Sequence, residues 1–432
     1  MNKGSRTILV AVVCLVIGAV IFREAGLAWL ALPFLAYLGL GLAMAPTSDE
    51  VYLNARRSCR AIGEDGKTTR IEVVARARNL GAKRMYLRLA DRPRKGTALV
   101  EGSLSRRTAV APRGEAELSY VFEASRGRFE WSDLAAEAGD PFGLFTVEKT
   151  LDAAAVALVQ PSYRKWRPFP LRLEKTLSSP GPIPIRLGGS GTDFWGIREY
   201  RQGDPLKRLY WRLNARNPFK RYTVESIVER TAEIIVVLDG RQRMDIAAGE
   251  SSVFGREVEA AASLSAMLIR QAHRVGLFVM GTRPVNIVPD YGRVQLRRIL
   301  NCLAEAEPQS ERTRESLRFM PTLRYASSAF MIVISPFEAD DLSAFQRLRA
   351  LGYQAVLACP DELGLARELF EGGRLVDLAA SAARLERRIA LERVASLGFP
   401  VVEWRLDREL APMLEEALSR LAPARRSVGW KP

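Results

Sequence analysis

The sequence predicts a membrane helical hairpin, then an all-β, sandwich-like domain, then an α/β domain built on a mostly parallel sheet. Three observations carry that expectation. Two uncharged apolar runs, Thr7 to Phe22 and Leu27 to Ala45, open the chain with only Arg23-Glu24-Ala25-Gly26 between them. Period-two alternation follows as far as about residue 160. From residue 233 onward, short apolar strands alternate with amphipathic helical stretches.

The two runs are 16 and 19 residues long, in the range that crosses a bilayer as helix. A signal peptide is the rival reading of the first, but a second apolar run begins after four residues where a cleaved polar domain would start. Lys3 and Arg6 precede the hairpin and Arg56, Arg57 and Arg60 follow it, whereas the tip holds Arg23 beside Glu24. The positive-inside bias places both termini and the soluble part in the cytoplasm, giving a two-pass protein whose membrane hairpin occupies residues 1–49.

Residues 50–162 read as β. Ile71 to Arg78, Met85 to Leu89 and Leu118 to Glu123 alternate, with Gly, Pro and Asp clusters between them. Ala61-Ile62-Gly63-Glu64-Asp65-Gly66-Lys67-Thr68 imitates a relaxed phosphate loop. It leads into a strand rather than a helix whose N-terminal amides would face an anion, so a hairpin turn is expected.

The 432 residues carry 64 Lys plus Arg against 49 Asp plus Glu, a formal charge of +15. Of that excess, +9 falls in residues 163–232. This basic zone begins as a connector with Pro168, Pro170, Pro180, Pro182 and Pro184 and the run Gly188-Gly189-Ser190-Gly191, where little regular structure is expected. The single histidine, His273, cannot build a multi-histidine metal site, and it closes the amphipathic stretch Leu264 to Arg274 as a helix-end residue. Cys14, Cys59, Cys302 and Cys359 are too far apart for a CxxC pair.

The α/β domain occupies residues 233–432. Its strand candidates are Glu233 to Asp239, Val275 to Met280, Phe330 to Ser335, Gln354 to Cys359 and Val401 to Leu406. Helical patterns lie between them at about 255–273, 293–305, 340–351, 381–397 and 408–421. Ligands of such doubly wound, Rossmann-like sheets sit at the carboxyl ends of strands, which singles out the loop after Asp239.

Residues 191–216 interleave arginines with aromatics and with Asp193, Glu199 and Asp204. Arg, Trp and Tyr together make interface hot spots and also single-stranded nucleic-acid platforms. The carboxylates would repel phosphate, so they are expected to pair internally with Arg198, Arg212 or Arg216, and the segment serves either as a partner surface or as an internal lock.

Glu199-Tyr200-Arg201-x-Gly203-Asp204 followed by Tyr210-Trp211-Arg212-x-x-Ala215-Arg216 resembles the signature of the bacterial family catalogued as domain of unknown function 58. Arg126-Gly127-Arg128-Phe129 and Asp140-Pro141-Phe142-Gly143-Leu144-Phe145 resemble the motifs that precede that signature. The resemblance implies a von Willebrand factor A-like fold for the last domain, location in the inner membrane, and association with MoxR-type AAA+ ATPases and transglutaminase-like membrane proteins. It marks Arg198, Glu199, Tyr200, Gly203, Asp204, Trp211 and Arg216 as signature or partner-binding residues.

Von Willebrand factor A domains often hold a divalent cation through D-x-S-x-S after the first strand. Here Asp239 fits, but Arg241 and Arg243 replace both serines, and the loop Ile334-Ser335-Pro336-Phe337 lacks an Asp near position 336. Guanidinium groups only donate and stay cationic, so no metal and no cofactor are expected. Either Arg241 or Arg243 stands in for the ion, or both are exposed loop arginines. The leading functional expectation is a non-enzymatic, membrane-anchored adaptor; the alternative is a nucleic-acid or anionic-lipid binder through residues 163–232. Carboxylate-only catalysis by Asp193, Glu199 and Asp204 stands third.

Overall fold

A computed structural model of the chain describes residues 3–65, 68–92, 96–169, 183–217, 219–230, 232–241, 247–248, 251–280, 284–308, 324–326, 328–362 and 374–420. The chain divides into two compact units, Met1–Gln160 and Pro161–Pro432.

The first unit begins with helices α1 (Lys3–Phe22) and α2 (Ala25–Met44), both apolar enough and long enough to cross a membrane. They pack on each other through a turn at Arg23, whose φ of 54° reverses the chain within two residues. The tip is therefore shorter than the four residues expected.

Eight antiparallel strands follow: β1 (Leu53–Asp65), β2 (Thr68–Asn79), β3 (Met85–Ala90), β4 (Ala98–Gly102), β5 (Ser105–Val110), β6 (Glu115–Ala124), β7 (Gly127–Gly139) and β8 (Thr146–Val159). They form two four-stranded sheets, ordered β1-β2-β6-β4 and β5-β3-β7-β8. The inner faces of both sheets supply one core, to which β2 gives Ile71, Val73, Ala75 and Ala77, and β6 gives Leu118, Tyr120 and Phe122. In β7 a register shift between Trp131 and Asp133 moves the buried set from Phe129 and Trp131 to Leu134, Ala136 and Ala138. This is the extra-residue effect of a bulge, which lets one long strand keep apolar residues inside along its whole length. The phosphate-loop look-alike is the β1–β2 hairpin, with Asp65 paired to Thr68.

A buried charge pair lies inside this sandwich. Arg57 Nη2 donates to Asp91 Oδ2 at 2.8 Å, with side-chain exposures of 0% and 3%. The guanidinium also donates to the carbonyls of Ala153 and Asp133 and lies over the Trp131 ring, while the Tyr120 hydroxyl donates to Asp91. Burial, and then the charge of Asp91, push the Tyr120 phenol far above its ordinary range. The cluster fastens β1, β6, β7 and β8 to one another.

In the second unit, β9 (Ile183–Glu199) pairs antiparallel with β10 (Tyr222–Arg230), and the short helix α3 (Trp211–Arg216) lies between them. The regular strand from Ile183 corrects the expectation of little structure there: the ladder with β10 imposes it, with register shifts absorbing the Gly-rich stretch. Pro170, Pro180 and Pro182 lie outside the described residues.

The α/β domain then runs β11 (Glu233–Asp239), α4 (Val253–Arg270), β12 (Arg274–Met280), β13 (Val285–Asp290), α5 (Gly292–Glu305), β14 (Phe330–Ile334), α6 (Leu342–Ala350), β15 (Gln354–Pro360), α7 (Arg374–Ser396), β16 (Val401–Trp404) and α8 (Leu410–Arg420). A two-residue ladder, Ala247–Ala248 with Ser251–Ser252, precedes α4. The sheet order is β13-β12-β11-β14-β15-β16, parallel except for the edge strand β13. Apolar clusters cover both faces, with Ile234, Val236 and Leu238 on one side and Ile235 and Val237 on the other. This two-sided burial is why β11 reads as a continuous apolar run. His273 is a helix-end residue, as expected, its amide donating to the Leu268 carbonyl at 3.1 Å just ahead of β12; it is also buried, 2% exposed, and burial lowers its pKa to about 4.

Removing one partner of the sandwich ion pair strands the other in the core. Asp91→Ala is expected to lower unfolding stability by roughly 3–5 kcal/mol, read by chemical denaturation, whereas the paired change Arg57→Met with Asp91→Leu recovers most of it.

Candidate functional site

The chain leaves β11 towards β12 on one side and later adds β14 on the other, so the carboxyl ends of β11 and β14 frame the point where the strand order reverses. Four side-chain features converge there. Asp239, the last residue of β11, is fully buried, and Ser335, one residue past β14, donates its hydroxyl to Asp239 Oδ2 at 2.7 Å. Asp341, also fully buried, ends a 3₁₀ turn (Ala339–Asp341) ahead of α6 and accepts from the Glu338 amide. Arg241 fills the space between the two carboxylates.

Its guanidinium grips both. Nε donates to Asp239 Oδ1 at 2.8 Å and Nη2 donates to Asp239 Oδ2; Nη1 and Nη2 donate to Asp341 Oδ1 and Oδ2 at 3.0 and 2.8 Å. Burial opposes the guanidinium charge, but the hydrogen bonds to Asp239 and Asp341 outweigh it and hold Arg241 above the ordinary arginine range. The backbone needs Gly240 here: a Cβ would lie 2.5 Å from the Met280 carbonyl oxygen, the acceptor of the Gly240 amide at 2.8 Å.

Two expectations are sharpened at this point. Arg241 is not an exposed loop arginine but the cation of a buried cluster, while Arg243 lies outside the described residues. The second carboxylate of the cluster comes from Asp341 and not from a residue near position 336. Chemically, the cluster is an oxygen-rich cradle whose centre is filled by a planar donor. A divalent ion would need those same oxygens.

The second cluster is the signature hairpin. Arg198, at the end of β9, donates from both Nη atoms to Asp204 at 2.7 Å and from Nε to Glu225 of β10 at 2.6 Å. Hydrogen bonds from Arg198 and then from the Arg201 amide hold the Asp204 carboxyl down to about 2. This carboxylate therefore stays charged across physiological pH and releases its grip only as pH falls towards that value. Gly203, with φ at 105°, takes the backbone conformation that brings Asp204 back under Arg198. Tyr200 and Tyr210 continue the ladder, their amides donating to the carbonyls of Arg221 and Tyr222. Asn214, which the sequence reading passed over, exchanges two hydrogen bonds with the Tyr222 backbone at 2.6 and 3.1 Å and ties α3 down.

The internal pairs thus use Arg198 rather than Arg212 or Arg216, and Glu199 pairs with Lys220 at the surface. The Asp193 side chain lies outside the described residues. Trp211, Arg212 and Arg216 are exposed, as are Phe194, Leu206 and Phe219 of the same segment; Trp211 is 67% and Phe219 95% exposed.

Residues 196–361 match the family model described as protein of unknown function DUF58. This match supports the DUF58 family. The matched span holds both clusters, the signature hairpin and the Arg241 site, and ends just after β15. No curated protein matches the chain. Among solved structures, the chain is similar to proximal thread matrix protein 1 from the mussel byssus at 11% identity and a TM-score of 0.24, covering 32% of this chain and 41% of that one. It is also similar to a FixG-related protein from Vibrio parahaemolyticus at 12% identity and a TM-score of 0.16, covering 24% of this chain and 94% of that one.

Removing the guanidinium should convert the cradle into a cation site. Arg241→Ser is expected to cost roughly 3–5 kcal/mol in metal-free buffer by taking a bidentate cation away from two buried carboxylates. It should also acquire a rise in Tm with millimolar Mg²⁺ or Ca²⁺ that the combined Arg241→Ser, Asp341→Asn variant lacks, both read by thermal melts.

Proposed function

We propose that this chain is a membrane-anchored, cytoplasm-facing adaptor of the inner membrane that binds a MoxR-type AAA+ ATPase through the signature hairpin, in an envelope-related assembly or stress role. The observation that carries the reading is the division of labour within the hairpin. Arg198, Asp204 and Glu225 spend their charge on one another, while Trp211, Phe219, Arg212 and Arg216 face outward. A rigid frame that displays Trp and Arg is the composition and preorganisation of a protein-binding hot spot.

The α/β domain is read as von Willebrand factor A-like. Numbered within the domain, its strand order is 3-2-1-4-5-6 with an antiparallel edge, and its candidate site lies at the carboxyl end of the first strand, both of which support that reading. Two apolar helices ahead of the soluble units support the anchor. The basic residues flanking the hairpin support an orientation with both termini in the cytoplasm. A transglutaminase-like membrane protein is the second expected partner.

Affinity purification of the full chain from native membranes tests the proposal. An AAA+ ATPase should accompany the wild type, and Trp211→Ala or Arg216→Ala should lower its yield about tenfold or more. Both residues are exposed, so Tm should stay unchanged. Capture of nucleic acid in place of an ATPase, lost in the same variants, would favour the alternative, and equal ATPase capture by all three proteins would remove the hairpin from the interface.

A further inference from the structure

The last two turns of α2 carry a contact that a simple membrane anchor does not need. The loop between β7 and β8, Asp140-Pro141-Phe142-Gly143-Leu144-Phe145, is folded hard onto the helix. The Phe142 ring packs against Tyr37 with centroids 4.7 Å apart and the ring planes tilted by 54°. Gly41 is buried, and a Cβ there would lie 3.0 Å from Leu144 Cδ1 and 3.5 Å from Phe145 Cδ2. The loop is rigid in itself: the fully buried Asp140 accepts from the amides of Phe142 at 2.9 Å and Phe145 at 2.7 Å, and Gly143 takes a φ of 70°. Arg107, exposed at the surface of β5, donates to the Asp140 carbonyl at 3.1 Å.

Depth follows from helix geometry. Twenty residues of α2 make about 30 Å of helix, which the hydrocarbon core of a bilayer requires almost in full. If the part in contact with the loop, from Tyr37 onward, stood in water, the remaining twelve residues would span only about 18 Å, too little to cross. The helix surface at that level points the same way, since Leu40, Leu42 and Met44 are each at least half exposed. Those side chains need lipid, and the loop packs at the same height.

We propose that the Asp140–Phe145 loop is a membrane-interface wedge: clamped to α2 through Gly41 and Tyr37, it sets the half-exposed Phe142 among the acyl chains and Arg107 at the level of the phosphates. An aromatic ring below a cationic side chain is the arrangement that the boundary between headgroups and acyl chains favours. The loop would then fix the sandwich against the bilayer at a set height instead of leaving it on a free tether. This inference rests on the membrane reading of the hairpin.

The test places the photoreactive amino acid p-benzoylphenylalanine at single positions in the full chain, reconstituted in nanodiscs of phosphatidylcholine and phosphatidylglycerol, and finds lipid adducts by mass spectrometry. Position 142 should crosslink to phospholipid, as should position 29, where Trp29 is 71% exposed on α2. Position 62 should not, because Ile62 lies near the opposite end of β1 from the α2 connection. Adducts at 29 but none at 142 would overturn the wedge and leave the anchor standing; none at either would overturn the membrane reading itself. Hydroxyl-radical footprinting of the unsubstituted chain in the same nanodiscs needs no variant: Phe142, 39% exposed, should be oxidised at least fivefold more slowly than Tyr163, 41% exposed, and equal rates would overturn the proposal.

Discussion

Two carboxyl groups lie fully buried where the central strands of the α/β sheet end, and one arginine holds both. Asp239 comes from β11 and Asp341 from the turn before α6, so the Arg241 guanidinium is the cross-strut between the two halves of the sheet's carboxyl edge. A buried carboxylate without a partner costs several kcal/mol, so the loops after β11 and β14 cannot part unless a cation follows. A bound ion would make that closure depend on ion concentration. An arginine makes it permanent, and with the guanidinium already bonded to both carboxylates, the cluster has little left to offer a partner's carboxylate.

With the strut closed, the sheet edge offers less to a partner than the signature hairpin does. There the same logic operates in two layers. Arg198 is tied to Asp204 and Glu225 and gives shape, while the arginines outside that frame give charge. On the proposed reading, the +9 charge of residues 163–232 is a display rather than a polyanion groove. The wedge inferred at Phe142 supplies the complementary element, a fixed height above the bilayer for the sandwich.

Much of the fold was legible in the sequence, because two-sided burial and period-two alternation write themselves directly into residue order. The apolar run Glu233–Asp239 coincides with β11 residue for residue, and the alternating strand after Thr68 implies the β1–β2 hairpin. What escaped notice depends on contacts distant in sequence. Strand β9 is rich in Gly and Pro and owes its regularity to pairing with β10. Edge strand β13 carries Pro289 and exposed valines at positions 285 and 288, so it lacks the continuous apolar signal of its neighbours. Asp341 reaches the site from a 3₁₀ turn outside any short motif, and which arginine meets Asp204 is settled by the turn at Gly203 rather than by composition. The substitution of Arg241 into the expected cation motif was visible, and its bidentate grip on two carboxylates was not.

Arg241 serves as the resident cation of this domain in place of a metal ion. Isothermal calorimetry of the intact chain with Mg²⁺ distinguishes the two. No binding heat and no change in Tm are expected up to millimolar concentrations; micromolar binding that disappears in Asp239→Asn would show that an ion, and not Arg241, neutralises the site.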